Sequence, residues 1–145
     1  MSSSTNADFF PMKVIIAGSR GINMGMSQID DIVSLSGFDV GEVVSGGARG
    51  IDLCGETWAT FKGLPIKRFP AIWRDRDGSR NMNAGRLRNS EMARYADALI
   101  AIWDCHSTGT AHMIDQANYY GLAPFIYVYD ARPGAVNKPK RYPFE

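Results

Sequence analysis

The chain has 145 residues, 45% of them hydrophobic, enough for one domain with one sizeable core. Its formal net charge of +1 excludes general electrostatic adhesion to nucleic acid or to an anionic membrane as the basis of function. Two cysteines, Cys54 and Cys105, are too few for a disulfide framework, and no apolar run approaches the roughly 18 residues of a membrane span.

The first residues, "MSSSTNADFF", have neither the basic nor the apolar region of a signal peptide, so a soluble protein of the reducing cytoplasm is expected. Residues 1–11 read as a flexible tail. "KVIIAG", 13–18, is a β-branched run that predicts a buried strand. "SQIDDIVSLSG" follows with Ile29, Ile32 and Val33 at helical spacing. Ser27 and Asp30 resemble a capping box, and Gly37 fits the stop. "GEVVSGG" predicts the second strand. The second helix, "ARGIDLCGETWATFKG", carries Ile51, Cys54, Gly55, Trp58 and Phe61 on one face and ends at Gly63. "LPIKRFP" predicts a short third strand. The polar stretch "AIWRDRDGSRNMNAG" is long for a simple connection and suits a functional loop. "RLRNSEMARYA" predicts a helix and "DALIAIWD" a strand. "STGTAHMIDQANYYG" predicts a helix with Met113, Ala117 and Tyr120 along one face. "APFIYVY" is the last predicted strand, and residues 131–145 read as a Pro-rich basic tail.

Near-continuous apolar strands alternating with helices predict an α/β domain over residues 12–130. It should be a single doubly wound, Rossmann-like or flavodoxin-like parallel sheet of five strands with helices on both faces. Its ligand site should lie beyond the carboxyl ends of the strands, near the switch point. Three strand-to-helix junctions meet that edge: Gly18-Ser19-Arg20-Gly21, Ser45 through Gly50, and Asp104 through Thr110. All combine glycine with hydroxyls or arginine. Helix N-termini offer unpaired N–H groups, and glycine lets an anion approach them. Each junction alone is equally ordinary turn and N-cap chemistry; three on one edge favour a phosphate-bearing ligand. "GSRGINMG" is not G-x-G-x-x-G and there is no Walker A lysine, so neither an ordinary dinucleotide nor a P-loop site is expected, and no cofactor is assigned.

Arg88 lines up with Ala84, Met92 and Ala96 on the apolar side of its helix. It needs an acceptor there, either a ligand anion or an internal partner such as Asp52 or Asp104. Arg74, Arg76, Arg80, Arg86 and Arg94 cluster nearby and read mostly as solvated. Asp52, in a first helical turn, is either a favourable charge there or a carboxylate for a ribose hydroxyl or the glycine loop. Trp73 can stack a base or pack its loop. Cys105, His106 and His112 match no zinc spacing, and no metal is expected.

"SGGARGID", "LPIKRFPAIW", "AGRLRNSEM" and "DALIAIWDCHSTGTAHMI", in that order, resemble the YspA-like branch of the SLOG superfamily over about Lys13 to Val128. The superfamily is Rossmann-like and includes lonely-guy phosphoribohydrolases and DprA-type proteins. The resemblance implies a pocket for a nucleotide or nucleotide-derived small molecule, and homo-oligomers. Lonely-guy enzymes carry an arginine before a Glu-Met segment and a P-G-G-x-G-T-x-x-E motif. Here "RNSEM" supplies Arg88, while Gly109 and Thr110 match the G-T. Cys105, His106 and Ser107 replace P-G-G, and Met113 stands at the catalytic glutamate position. Methionine cannot transfer protons, so the binding half of the motif is kept and the catalytic half is not; methionine is usual in the YspA-like branch, whose activity the resemblance leaves open.

The expected ligand site comprises Gly18, Ser19 and Arg20 as one wall, and Gly46, Gly47, Gly50 and Asp52 as the loop. Arg88 and Asn89 would meet phosphate or ribose, with Asp104, Ser107, Thr108, Gly109 and Thr110 around a helix start. The alternatives are a nucleotide N-glycosidic hydrolase using Asp52 or Asp104, and a DprA-like single-strand DNA binder. The near-zero charge disfavours the second.

Overall fold

The computed structural model describes residues 11–81, 83–130 and 132–140. The first ten residues, read as a tail, therefore lie outside the described part. In chain order the elements are β1 (Met12–Gly18), α1 (Met26–Ser36), β2 (Val40–Ser45), α2 (Ile51–Lys62) and β3 (Ile66–Arg68). They continue with α3 (Ala84–Tyr95), β4 (Ala98–Trp103), α4 (Thr108–Tyr119), β5 (Ala123–Val128) and β6 (Lys138–Lys140).

The sheet order is β3-β2-β1-β4-β5-β6. The first five strands are parallel, as expected for a doubly wound α/β fold. β6 is an addition to the expected five. It comes from the segment read as a tail and pairs antiparallel with β5, Val128 opposite Lys138 and Ile126 opposite Lys140. Asn137 supports the return, its Oδ1 accepting from the Asp130 N–H at 2.6 Å.

Alternation along the central strands sorts the core into two layers. Val14, Ile16, Ile100 and Ile102 face α1 and α2, against Ile29, Ile32, Ile51 and Trp58. Ile15, Ala17, Leu99 and Ala101 face α3 and α4, against Met92, Ala93, Met113 and Ile114. β1 lies between β2 and β4, so the connections after β1 and β4 leave the sheet in opposite directions. That switch point opens a crevice at the carboxyl edge.

Local expectations were corrected at three points. The N-cap of α1 is Gly25, not Ser27, with Gln28 Oε1 accepting from the Gly25 N–H at 3.2 Å. Asp30 instead ties α1 to α2, accepting from Trp58 Nε1 at 3.0 Å and pairing with Lys62 at 3.1 Å. Phe61, expected on the inner face of α2, is 69% exposed. At helical spacing it falls with Leu53 and Thr57, which are exposed too, and away from the buried Ile51, Gly55 and Trp58. Tyr120, expected on the inner face of α4, is exposed as the residue that ends the helix.

Candidate functional site

A cavity of about 480 Å³ opens at the carboxyl edge of β1 and β4. Its walls come from the β1–α1 loop, the start of α2, the start of α3, the start of α4, and Trp73.

The β1–α1 loop is held from both sides. The Ser19 N–H donates to the Ile102 carbonyl at 3.1 Å, and the buried Ser19 hydroxyl accepts from the Asp104 N–H at 3.1 Å. Ser19 therefore ties two of the three junctions together. Arg20 follows, exposed at the cavity wall, with no hydrogen bond or ion pair to any described residue.

The β2–α2 loop is shaped from inside. Ser45 Oγ accepts from the Gly47 N–H at 3.0 Å and donates to Glu56 Oε2 at 2.7 Å; Glu56 is in turn paired with Arg68 at 2.9 Å. Gly50 takes φ 77° and ψ −127°, a conformation open to glycine alone. A Cβ there would lie 2.6 Å from the carbonyl oxygens of Ser19 and Arg20. At Gly46 a Cβ would lie 2.5 Å from Arg88 Nη1. These two glycines let the loop touch its neighbours.

Arg88 crosses from α3 to this loop. It is only 9% exposed; Nη1 donates to the Gly46 carbonyl at 2.7 Å and Nε to Asn89 Oδ1 at 3.1 Å. The anticipated salt bridge to Asp52 or Asp104 is not formed among the described residues. Nη2 has no hydrogen-bond partner among the described residues and is not a fully buried unpaired atom, and Arg88 lines the cavity. Burial, and then repulsion from Arg20, lower the Arg88 pKa, against attraction to Asp52.

Asp52 is 5% exposed and lines the cavity. Its Oδ2 accepts from the Ala48 N–H at 3.2 Å. Burial raises its pKa to about 6, against the Ala48 N–H, Arg88 and the Gly18 N–H, which favour the carboxylate.

Asn89 connects α3 to α4. Because Oδ1 accepts from Arg88, Nδ2 is the donor, to the Gly109 carbonyl at 3.3 Å and to His112 Nδ1 at 3.1 Å. The neutral His112 ring therefore carries its proton on Nε2. Burial and then Arg86 lower the His112 pKa.

α4 begins beneath the opening. Its N-cap, Ser107, makes no side-chain cap bond; its hydroxyl lies 3.1 Å from Thr110 Oγ1. The first intrahelical bond runs from Ala111 N–H to the Ser107 carbonyl, so Thr108, Gly109 and Thr110 present N–H groups with no intrahelical acceptor. A Cβ on Gly109 would touch nothing. Asp104 serves the loop instead, its Oδ1 accepting from the His106 and Ser107 N–H groups, both at 2.8 Å. Partial burial acts against it, but those two N–H groups hold its pKa low.

The stretch read as a functional loop contains a small hairpin: Arg74 bridges Arg80, and the Asn81 N–H donates to the Trp73 carbonyl at 2.7 Å. Trp73 leans toward Gly85, where a Cβ would lie 3.4 Å from its ring, and borders the cavity.

Of the expected site residues, Gly18, Arg20, Asp52, Arg88, Asn89, Ser107, Thr108, Gly109 and Thr110 line the cavity. Ser19, Gly46, Gly47, Gly50 and Asp104 do not; Ser19, Gly46, Gly50 and Asp104 hold up the walls behind it. Arg86, read as solvated, also borders the cavity, as do His112 and Met113. Its place one helical turn before Asn89 was the available signal. No group of three or more His, Cys, Asp or Glu side chains comes together among the described residues, so Cys105, His106 and His112 form no such cluster. No described helix is long and apolar enough to cross a membrane.

Comparison with protein-family models, with curated proteins and with solved structures finds no match to this chain.

Proposed function

We propose that this protein binds a nucleotide or nucleotide-derived small molecule at the carboxyl edge of its sheet and acts as a sensor or sequestering module. One observation carries the reading. Arg88 is nine-tenths buried without a salt bridge among the described residues, and it lines a cavity that the uncapped start of α4 also borders. The Asp52 carboxyl lies close by but forms no salt bridge with Arg88, and a phosphate at this position would meet both the guanidinium and the α4 N–H groups. Trp73 at the mouth supplies an aromatic surface for a base. The similarity to YspA-like SLOG proteins supports the same ligand class.

Mass spectrometry of small molecules released from the purified, denatured protein tests the proposal. A nucleotide-type compound is expected. Arg88→Gln should weaken rebinding about 10- to 100-fold, the loss of a charge-assisted contact, as read by calorimetry. An empty extract, together with no thermal shift across a nucleotide panel, would sink the reading.

A second reading, hydrolysis of a nucleotide N-glycosidic bond, is favoured by Asp52 alone. It is the one carboxyl group among the described residues at the cavity wall, and its pKa of about 6 suits proton transfer near neutral pH. Met113, also at the wall, offers no charge to a developing oxocarbenium ion. Incubation with nucleoside monophosphates decides between them. Release of free base that disappears in Asp52→Asn establishes cleavage; intact nucleotide leaves binding.

A further inference from the structure

Arg20, Arg86 and Arg88 all border the cavity, and Asp52 is their only acidic counterpart there among the described residues. The three come from different places. Arg20 leaves the β1–α1 loop, close enough to Arg88 for the two guanidiniums to repel. Arg88 lies at the centre, beside Asn89 and the start of α4. Arg86 sits one turn before Asn89 on α3, beside His112 of α4. Thus Arg20 and Arg86 reach the cavity of Arg88 from two different elements. Neither side chain makes a hydrogen bond or ion pair with any described residue.

A single phosphate monoester already finds its donors at the centre, in Arg88 and the N–H groups of α4. It would leave the Arg20 and Arg86 guanidiniums at the cavity wall without an anion. A second phosphoryl group joined to the first brings additional charge and acceptor oxygens within their reach. Resting on the binding function proposed above, we infer that the ligand carries two linked phosphoryl groups, the outer one held by a flanking arginine.

The test is calorimetric titration at fixed salt of the mono- and diphosphates of the four common ribonucleosides, with inorganic phosphate and pyrophosphate alongside. For the best-bound base, the diphosphate should bind about tenfold or more tightly than the monophosphate, the gain from one added charge-assisted contact. Arg20→Gln or Arg86→Gln should remove that advantage, lowering diphosphate affinity by more than monophosphate affinity. Pyrophosphate should likewise bind more tightly than inorganic phosphate; equal affinities of the two would count against a second phosphoryl position and overturn the inference. Equal affinity for mono- and diphosphate, or an advantage that survives in both variants, overturns the inference but leaves nucleotide binding standing. No binding by any member overturns both.

Discussion

Two glycine-bearing corners of this molecule look alike in sequence and differ in use. The β2–α2 loop, Ser45 through Gly50, spends its freedom on internal contacts. Gly46 makes room for Arg88, Gly50 lies against the Ser19 and Arg20 carbonyls, and the Gly47 and Ala48 N–H groups go to Ser45 and Asp52. The start of α4 is the reverse. Ser107 leaves the helix uncapped, Gly109 faces open space, and the first N–H groups have no intrahelical acceptor. Glycine next to a helix start is therefore ambiguous until its neighbours are known. One corner is closed by its own contacts, and the other is open to the cavity.

The sharpest way to break the comparison is to add the same methyl group to each. Gly50→Ala must force alanine into φ 77° and drive its Cβ against two carbonyl oxygens, so a loss of about 3 kcal/mol is expected in urea denaturation. A loss under about 0.5 kcal/mol would mean that the loop is not committed as described.

The next largest effect tests Asp52, which accepts from the Ala48 N–H in the first corner and lines the cavity. Its pKa is about 6 in the folded protein and near 3.8 when unperturbed, so the folded state binds the extra proton between those values. Stability contributed by that proton is fully present below about pH 4 and is lost as pH rises through about 6, by up to about 3 kcal/mol. Asp52→Asn should remove that downward slope. Chemical denaturation from pH 4 to 7.5 reads the difference; parallel profiles for the two proteins would show that Asp52 titrates normally.

Gly109→Ala should give the smallest change in stability and the clearest contrast. With no neighbour to meet, alanine in a helix should raise stability by up to about 1 kcal/mol. The same methyl group enters the space where an anion would approach the N–H groups, so nucleotide affinity should fall. Unchanged affinity in a calorimetric titration would move the phosphate position away from α4.

Much of this arrangement was readable from local pattern. The apolar runs of β1, β2, β4 and β5 and the stops at Gly37 and Gly63, both left-handed in the fold, depend on neighbours in sequence. Arg88, too, was visible through its spacing from Ala84 and Met92. What escaped depends on partners far along the chain. Gly46 is explained by a guanidinium 42 residues away, and Ser19 by an N–H 85 residues away. β6 escaped for a different reason: Lys-Pro-Lys has no alternation and poor strand propensity, and only an available edge on β5 makes it a strand.

That last strand has a practical bearing on handling the protein. Residues 138–140 close one margin of the sheet, leaving the three-residue β3 at the other. A shortened version ending near residue 130 would bare the hydrogen-bonding groups of Ile126–Val128, an invitation to sheet-to-sheet association between molecules. The basic, proline-containing end that looks dispensable is what keeps that margin shut.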